Sequence, residues 1–279
     1  MRQIAIMITV LFVIDGISPA ELYGQIEEPD LRGIDEPKTA FDDNVRNGIS
    51  LNVIINNYGF GAGVEFKRVF APNFEGTLTL RAAGLRDVSE QTFTDFFFGQ
   101  QIIPNKYKRG FSFPMTVGVR QRLFARQVDD NYRFYISGDI GPVLAYTYPY
   151  FDDIYDYGYR LNFPNYNVMQ PVNDIFTGLG DGTWHLGLAG ELRLSMDIVE
   201  NFARLSSIQF GYMFYYFDEG LQLMQPNQPI PLDNPEQGEF PYEHTNEADP
   251  IGSLVMQPFF DDQRFFGTPQ ISFIFGRMW

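Results

Sequence analysis

The stretch TWHLGLAGELRLSMDI, residues 183–198, decides how this chain is read. Trp184, Leu186, Leu188, Leu192, Leu194 and Met196 fall on one face; His185, Glu191, Arg193, Ser195 and Asp197 fall on the other. Apolar residues at period two, with charges between them, mark a β-strand with two unlike faces; a helix would need a period near 3.6.

Outward from this stretch the pattern recurs, and eight strands are predicted in all: 49–56, 59–69, 74–86, 111–124, 132–146, 183–198, 206–217 and 267–279. Ile49, Leu51, Val53 and Ile55 share one face of the first. Phe60, Ala62, Val64 and Phe66 share one face of the second. The last carries Ile271, Phe273 and Phe275 and ends on Trp279. Connections near 70–73, 127–130 and 199–205 are short, and those near 87–110, 147–182 and 218–266 are long. Only the turn Asn56-Asn57-Tyr58-Gly59 breaks that alternation.

Composition narrows the function classes. The chain has 279 residues, enough for one large or two small domains, and 44% are hydrophobic, enough for a core. Aromatics reach 16%, with 28 Phe and 16 Tyr. A net charge of −15 opposes nucleic-acid binding, because phosphates need basic partners. The absence of Cys excludes disulfides, a thiolate nucleophile, Cys-ligated metal and a lipoprotein anchor.

The start of the chain has its own layout. Arg2 precedes an apolar run from Ile4 to Ile14, then come Gly16, Pro19 and small residues. This reads as a secretory signal peptide over 1–24, with small residues at Ser18 and Ala20 or at Gly24 for cleavage. The run is too short to span a bilayer as a helix. Residues 25–47 are polar, with seven acids in 25–46, and read as an exported periplasmic linker before a barrel over 48–279.

Alternation alone does not say which face is inside. A lipocalin-like soluble barrel turns its apolar face inward, and a membrane barrel turns it to lipid. The polar faces carry Glu65, Lys67, Glu75, Arg81, Arg120, Arg122, Arg133, Asp139, Glu191, Arg193 and Asp197. Six bases against five acids is nearly neutral, as a self-paired lumen would be, in a chain that is otherwise strongly acidic. Aromatics gather at the strand ends: Phe70, Phe74, Phe124 and Tyr132 at one, Tyr146, Trp184 and Tyr216 at the other. These have the placing of interfacial girdles.

Over 48–279, and in the terminal ISFIFGRMW, the chain resembles the small eight-stranded outer-membrane β-barrels of OmpA/OmpX/OmpW-type architecture. The resemblance implies an all-β, antiparallel up-and-down transmembrane barrel in the cell outer membrane of a Gram-negative cell, with long extracellular loops. It implies contact with outer-membrane lipid and lipopolysaccharide, and recognition of the C-terminal strand by the barrel-assembly machinery. Arg277 departs from the pattern, since that position is usually apolar or aromatic, and Arg68 also falls on the nominal lipid face. Both lie near a rim, where a long side chain can snorkel to water.

Candidate chemistry is sparse. His185, on the inward face near a rim, with Thr183 as nucleophile would suit an outer-leaflet lipid-modifying enzyme; the plainer reading is a histidine in a lumen hydrogen-bond network. His244 lies in a long loop. Asp152, Asp153 and Asp156 offer oxygen ligands but lack the regular spacing of a calcium loop. Gly59, Gly61 and Gly63 are not followed by a helix pattern, so they are no nucleotide fingerprint. No catalytic, metal or cofactor residue is assigned, and no cofactor is expected. The Tyr-, Asn- and Asp-rich stretch 146–166 has the composition of a binding surface for a protein partner, or of a self-packed cap. The leading expectation is a non-enzymatic membrane scaffold; the alternatives are a passive pore or carrier for small hydrophobic molecules and the lipid-modifying enzyme.

Overall fold

A computed structural model describes residues 39–94, 101–128, 131–198, 202–236 and 239–279. The signal peptide read over 1–24, and most of the 25–47 linker, lie outside the described residues.

Eight long strands form a closed antiparallel barrel: β1 (Asn47–Asn56), β2 (Gly59–Ala71), β3 (Phe74–Leu85), β4 (Lys108–Leu123), β5 (Tyr132–Pro149), β6 (Thr183–Ile198), β7 (Arg204–Leu221) and β8 (Gln263–Met278). Each pairs with its neighbours in the chain, and β8 closes on β1 from Gly48 opposite Met278 to Asn56 opposite Gln270. The eight predicted strands are all present. Six of them run past their predicted ends: β1 starts at Asn47, β2 runs to Ala71, β4 starts at Lys108, β5 runs to Pro149, β7 spans 204–221 and β8 starts at Gln263. Lys108 pairs with Pro149 and Arg109 with Tyr148 in ladders that period-two reading cannot see, because Tyr148 and Pro149 do not alternate in polarity.

The faces sort as the charges required. Leu51 and Leu192 are each 64% exposed on the outer surface, together with Val53, Val117, Ile140, Leu186 and Phe275. All eleven of the inward ionisable residues are buried. The outer apolar stripe of β6 runs from Trp184 to Met196; at a rise of about 3.3 Å per residue and a tilt near 45° it covers roughly 28 Å, close to the ~25 Å band of a membrane barrel. Trp184 contacts Phe113 (5.7 Å between ring centroids) and Tyr146 (4.6 Å) at the long-loop end, and Phe70 contacts Phe74 (6.5 Å) at the short-turn end.

The lumen is filled in three storeys. At the short-turn mouth Ala40, Val69, Phe202, Leu205, Ile274 and Met278 make an apolar floor. Phe41 and Val45 pack against it. The middle storey is ionic. Arg193 reaches Glu65 (2.8 Å), Asp139 (2.6 Å) and Glu191 (3.3 Å). Arg120 pairs with Glu75 (3.0 Å) and Asp197, and Arg81 pairs with Glu191. Inward glycines make room for these stems: a Cβ on Gly63 would meet Arg81 Cγ at 2.6 Å, and one on Gly211 would meet Arg193 Cγ at 2.9 Å. The upper storey is apolar again, built from Val143, Ala189, Met213, Tyr215, Phe217 and Phe266.

Tyr58 belongs to that upper cluster, which accounts for the one short connection at the long-loop end. The β1–β2 turn is pinned by the Asn57 amide on Thr268 Oγ1 (3.3 Å) and by the Tyr58 amide on Asn56 Oδ1 (2.9 Å), and Gly59 takes φ +115°. Tyr58 thus folds over the lumen as part of its lid.

Candidate functional site: the loop cap

The described residues of three loops, 86–107, 150–182 and 222–262, cover the long-loop end. Residues 105–107 form their common spine. The Tyr107 amide donates to Leu223 O (2.8 Å), its carbonyl accepts from the Tyr150 amide (2.9 Å), and the Gln225 amide donates to Asn105 O (2.8 Å). Asn105 takes φ 57°, a left-handed conformation that Asn tolerates and most residues resist. Lys106 bridges to Met224, and its ammonium is held by Glu90 (2.7 Å); burial pushes its pKa down against that carboxylate.

The second and third loops share an apolar cluster. Leu161, Phe163, Phe240 and Leu254 are buried in it. Phe163 meets Phe240 edge-on (5.4 Å) and Tyr242 (5.2 Å). The third loop carries a ribbon of Asn227–Pro229 against Met256–Pro258. Tyr157 Oη donates to Ile251 O (3.3 Å), and Asn227 Nδ2 donates to Tyr157 O (2.8 Å). Arg109, at the tip of β4, forks onto the carbonyls of Asn173 and Asp174 (2.6 Å each) and stacks on Tyr150 (4.7 Å).

Two adjoining clefts open between these loops. One, of about 260 Å³, is lined by Lys106, Tyr150, Arg160, Asn162 and Gln225; the other, of about 370 Å³, by Gln228, Pro229, Tyr242, Gln257 and Phe259. Asn105 and Tyr159 line both. Burial raises the Tyr159 pKa, so its hydroxyl stays neutral and can both donate and accept.

The residues singled out from the sequence are each taken up by local partners. His185 Nε2 lies 3.0 Å from Thr147 Oγ1, across the β5–β6 ladder, and Thr147 is buried. This is a lumen hydrogen bond and brings no nucleophile–base pair with Thr183. His244 Nδ1 sits 2.9 Å from Tyr242 O within its own loop. Asp153 spends its carboxylate on its own turn, accepting from the amides of Tyr157 (3.0 Å) and Gly158 (2.6 Å), while Asp152 accepts from Asn173 Nδ2 (3.0 Å). Gly59, Gly61 and Gly63 lie at the start of β2. Among the described residues, no three His, Cys, Asp or Glu side chains converge as a metal site. The Tyr-rich stretch is the one site reading from sequence that falls at the clefts, through Tyr150 and Tyr159. Arg160 and Asn162 also come from that stretch, whereas Asn105, Gln225, Gln228 and Gln257 were not legible, since scattered loop amides carry no spacing signal.

No family model matches the chain, and no curated protein matches it. Among solved structures it is similar to Neisserial surface protein A (NspA), at 7% identity over 84% of this chain and 96% of that one, with a TM-score of 0.32. It is also similar to CarO of Acinetobacter baumannii, at 9% identity over 82% of this chain and 97% of that one, with a TM-score of 0.27. At these values the likeness bears on neither site nor activity. The architecture, that of a small eight-stranded outer-membrane β-barrel, rests on this chain's own ladder and on its inverted faces.

Proposed function

We propose that the protein is a non-enzymatic barrel embedded in a bacterial outer membrane, with its short turns in the periplasm and its three long loops packed as a cap outside the cell. The observation that carries this reading is the inversion: eleven ionisable side chains buried inside, and a continuous apolar surface outside. In water that surface would be exposed at a cost on the order of 25 cal/mol per Å², which lipid removes. Its neighbours are then outer-membrane lipid and lipopolysaccharide. Strand β8 is the segment offered to the barrel-assembly machinery. The cap is the surface offered to any partner.

A filled lumen disfavours the passive pore, and the engagement of His185 Nε2 with Thr147 rather than with Thr183 disfavours the lipid-modifying enzyme. Fractionation and unheated gel migration test the reading. The protein should stay with carbonate-washed outer membranes and migrate differently before and after boiling. Release by carbonate as a soluble species would overturn it.

A further inference from the structure

We propose that the two adjoining clefts around Tyr159 bind a short neutral oligosaccharide. A pyranose presents C–H faces to aromatic rings and vicinal hydroxyls to planar amide or guanidinium groups. The clefts supply both. Tyr159 stands between them, Tyr150 lines one and Tyr242 the other. Together they reach the scale of small-ligand sites, ~300–1,000 Å³.

The polar groups are placed for hydroxyls. Gln228 and Gln257 are direct cross-strand partners on the loop ribbon, so their side chains share one face. Gln225, 3% exposed, forms part of the first cleft's wall. Arg160 has no ion pair among the described residues and offers a fork of N–H donors, whereas Lys106 is already neutralised by Glu90. The walls belong to three loops fixed by backbone hydrogen bonds at Asn105, Tyr107 and Tyr150, so little ordering is left for binding to supply.

Charge selects the neutral class. Segment 218–262 carries ten Asp or Glu and no Lys or Arg. A polyanionic chain entering the clefts meets that field, and one guanidinium does not cancel it. A neutral sugar is indifferent to it.

This inference rests on the cap facing outward for its biological setting, but binding is testable on purified barrel in a detergent without a sugar head group. The probes are maltotriose, cellotriose, triacetylchitotriose and tri-galacturonate, read by calorimetry and by saturation transfer to the sugar ring protons. At least one neutral trisaccharide should bind saturably, with tri-galacturonate about tenfold weaker or more at low salt. Tyr159→Ala and the double change Gln228→Ala/Gln257→Ala on the half-buried ribbon should each weaken binding about tenfold, on the scale of one or two lost hydrogen bonds or ring contacts. Heat-modifiable migration of each variant shows that the barrel itself is intact. No saturable binding of any neutral probe, equal affinity for tri-galacturonate, or unchanged affinity in both folded variants would overturn the proposal, whatever becomes of the membrane assignment.

Discussion

Arg193 is the residue on which the lumen turns. It is 2% exposed and joins carboxylates from β2, β5 and its own strand, with Gln209 of β7 as a further partner at 2.9 Å. Replacing it by Ala takes a guanidinium from three buried carboxylates, Glu65, Asp139 and Glu191, of which Glu65 keeps Lys67 (3.2 Å) and Glu191 keeps Arg81. Breaking such a network typically costs about 3–5 kcal/mol. Arg193→Ala should therefore lower the urea midpoint of the refolded barrel sharply. Arg193→Lys should fall between, because an ammonium keeps the charge but not the fork. A midpoint unchanged in Arg193→Ala would mean the network contributes specificity and no net stability. A second residue-scale test lies in the cap. The Asp174 carboxylate accepts from the amides of Phe176 (2.7 Å) and Thr177 (2.8 Å), which hold its pKa below the ordinary aspartate range. A depressed carboxylate favours its turn above the unfolded pKa of about 4 and loses that support as pH falls through the lower folded value. The Phe176 and Thr177 amide resonances should titrate together below pH ~4. They should stay flat in Asp174→Asn, which keeps the acceptor and loses the charge.

Among the elements, the seam between β8 and β1 has most to lose. Trp279 O accepts from the amides of Arg46 and Asn47 (2.9 Å each), and the Trp279 amide donates to Asn47 O (2.8 Å). Met278 packs into the floor beside Leu205 and Ile274. Deleting 277–279 should open this seam, leaving backbone groups unpaired in lipid at several kcal/mol each, and should abolish heat-modifiable folding. Deleting 152–178 removes most of the second loop but none of the β5–β6 ladder, which runs from Thr183 opposite Thr147 to Ile198 opposite Tyr132. That variant should still fold in membranes. Normal assembly of the terminal deletion would refute the role of the seam. The contrast also marks what sequence could show. Strands were legible where one face meets lipid and the other meets charge, as in Glu191, Leu192, Arg193 and Leu194. They were not legible above the girdles, where Thr147, Tyr148 and Pro149 of β5 answer to loop packing. In β7 the period-two reading that sets Ile208, Phe210, Tyr212, Phe214 and Tyr216 on one face holds, and what the closed ladder adds is that Met213, Tyr215 and Phe217 on the other face join one buried cluster.

At the scale of the whole molecule, the same inversion that suits lipid outside sets three storeys of side chains across the lumen among the described residues. Water entering from the short-turn end meets the apolar floor at Phe202, Leu205 and Met278. Beyond it lies the ionic storey, where opposite charges pair at hydrogen-bond distance between neighbouring strands, as in Arg120–Glu75 and Arg193–Asp139, and across the barrel, as in Arg193–Glu65. Beyond that stand Tyr215, Phe217 and Phe266, roofed by Tyr58 and the loops. Eight strands enclose an interior just wide enough for side chains to fill, so the storeys act as barriers in series. The sequence foretold the middle one, because eleven charges of balanced sign on inward positions must pair. It did not foretell the other two, which arise when residues distant in sequence meet at the mouths. In planar bilayers the protein should therefore give no steady large conductance. Arg193→Ala, if folded, should give none either, because the floor and roof survive the loss of ionic contacts. Conductance in the wild type would refute the filled lumen. Conductance confined to Arg193→Ala would place the whole barrier in the ionic storey and leave the apolar ones permeable.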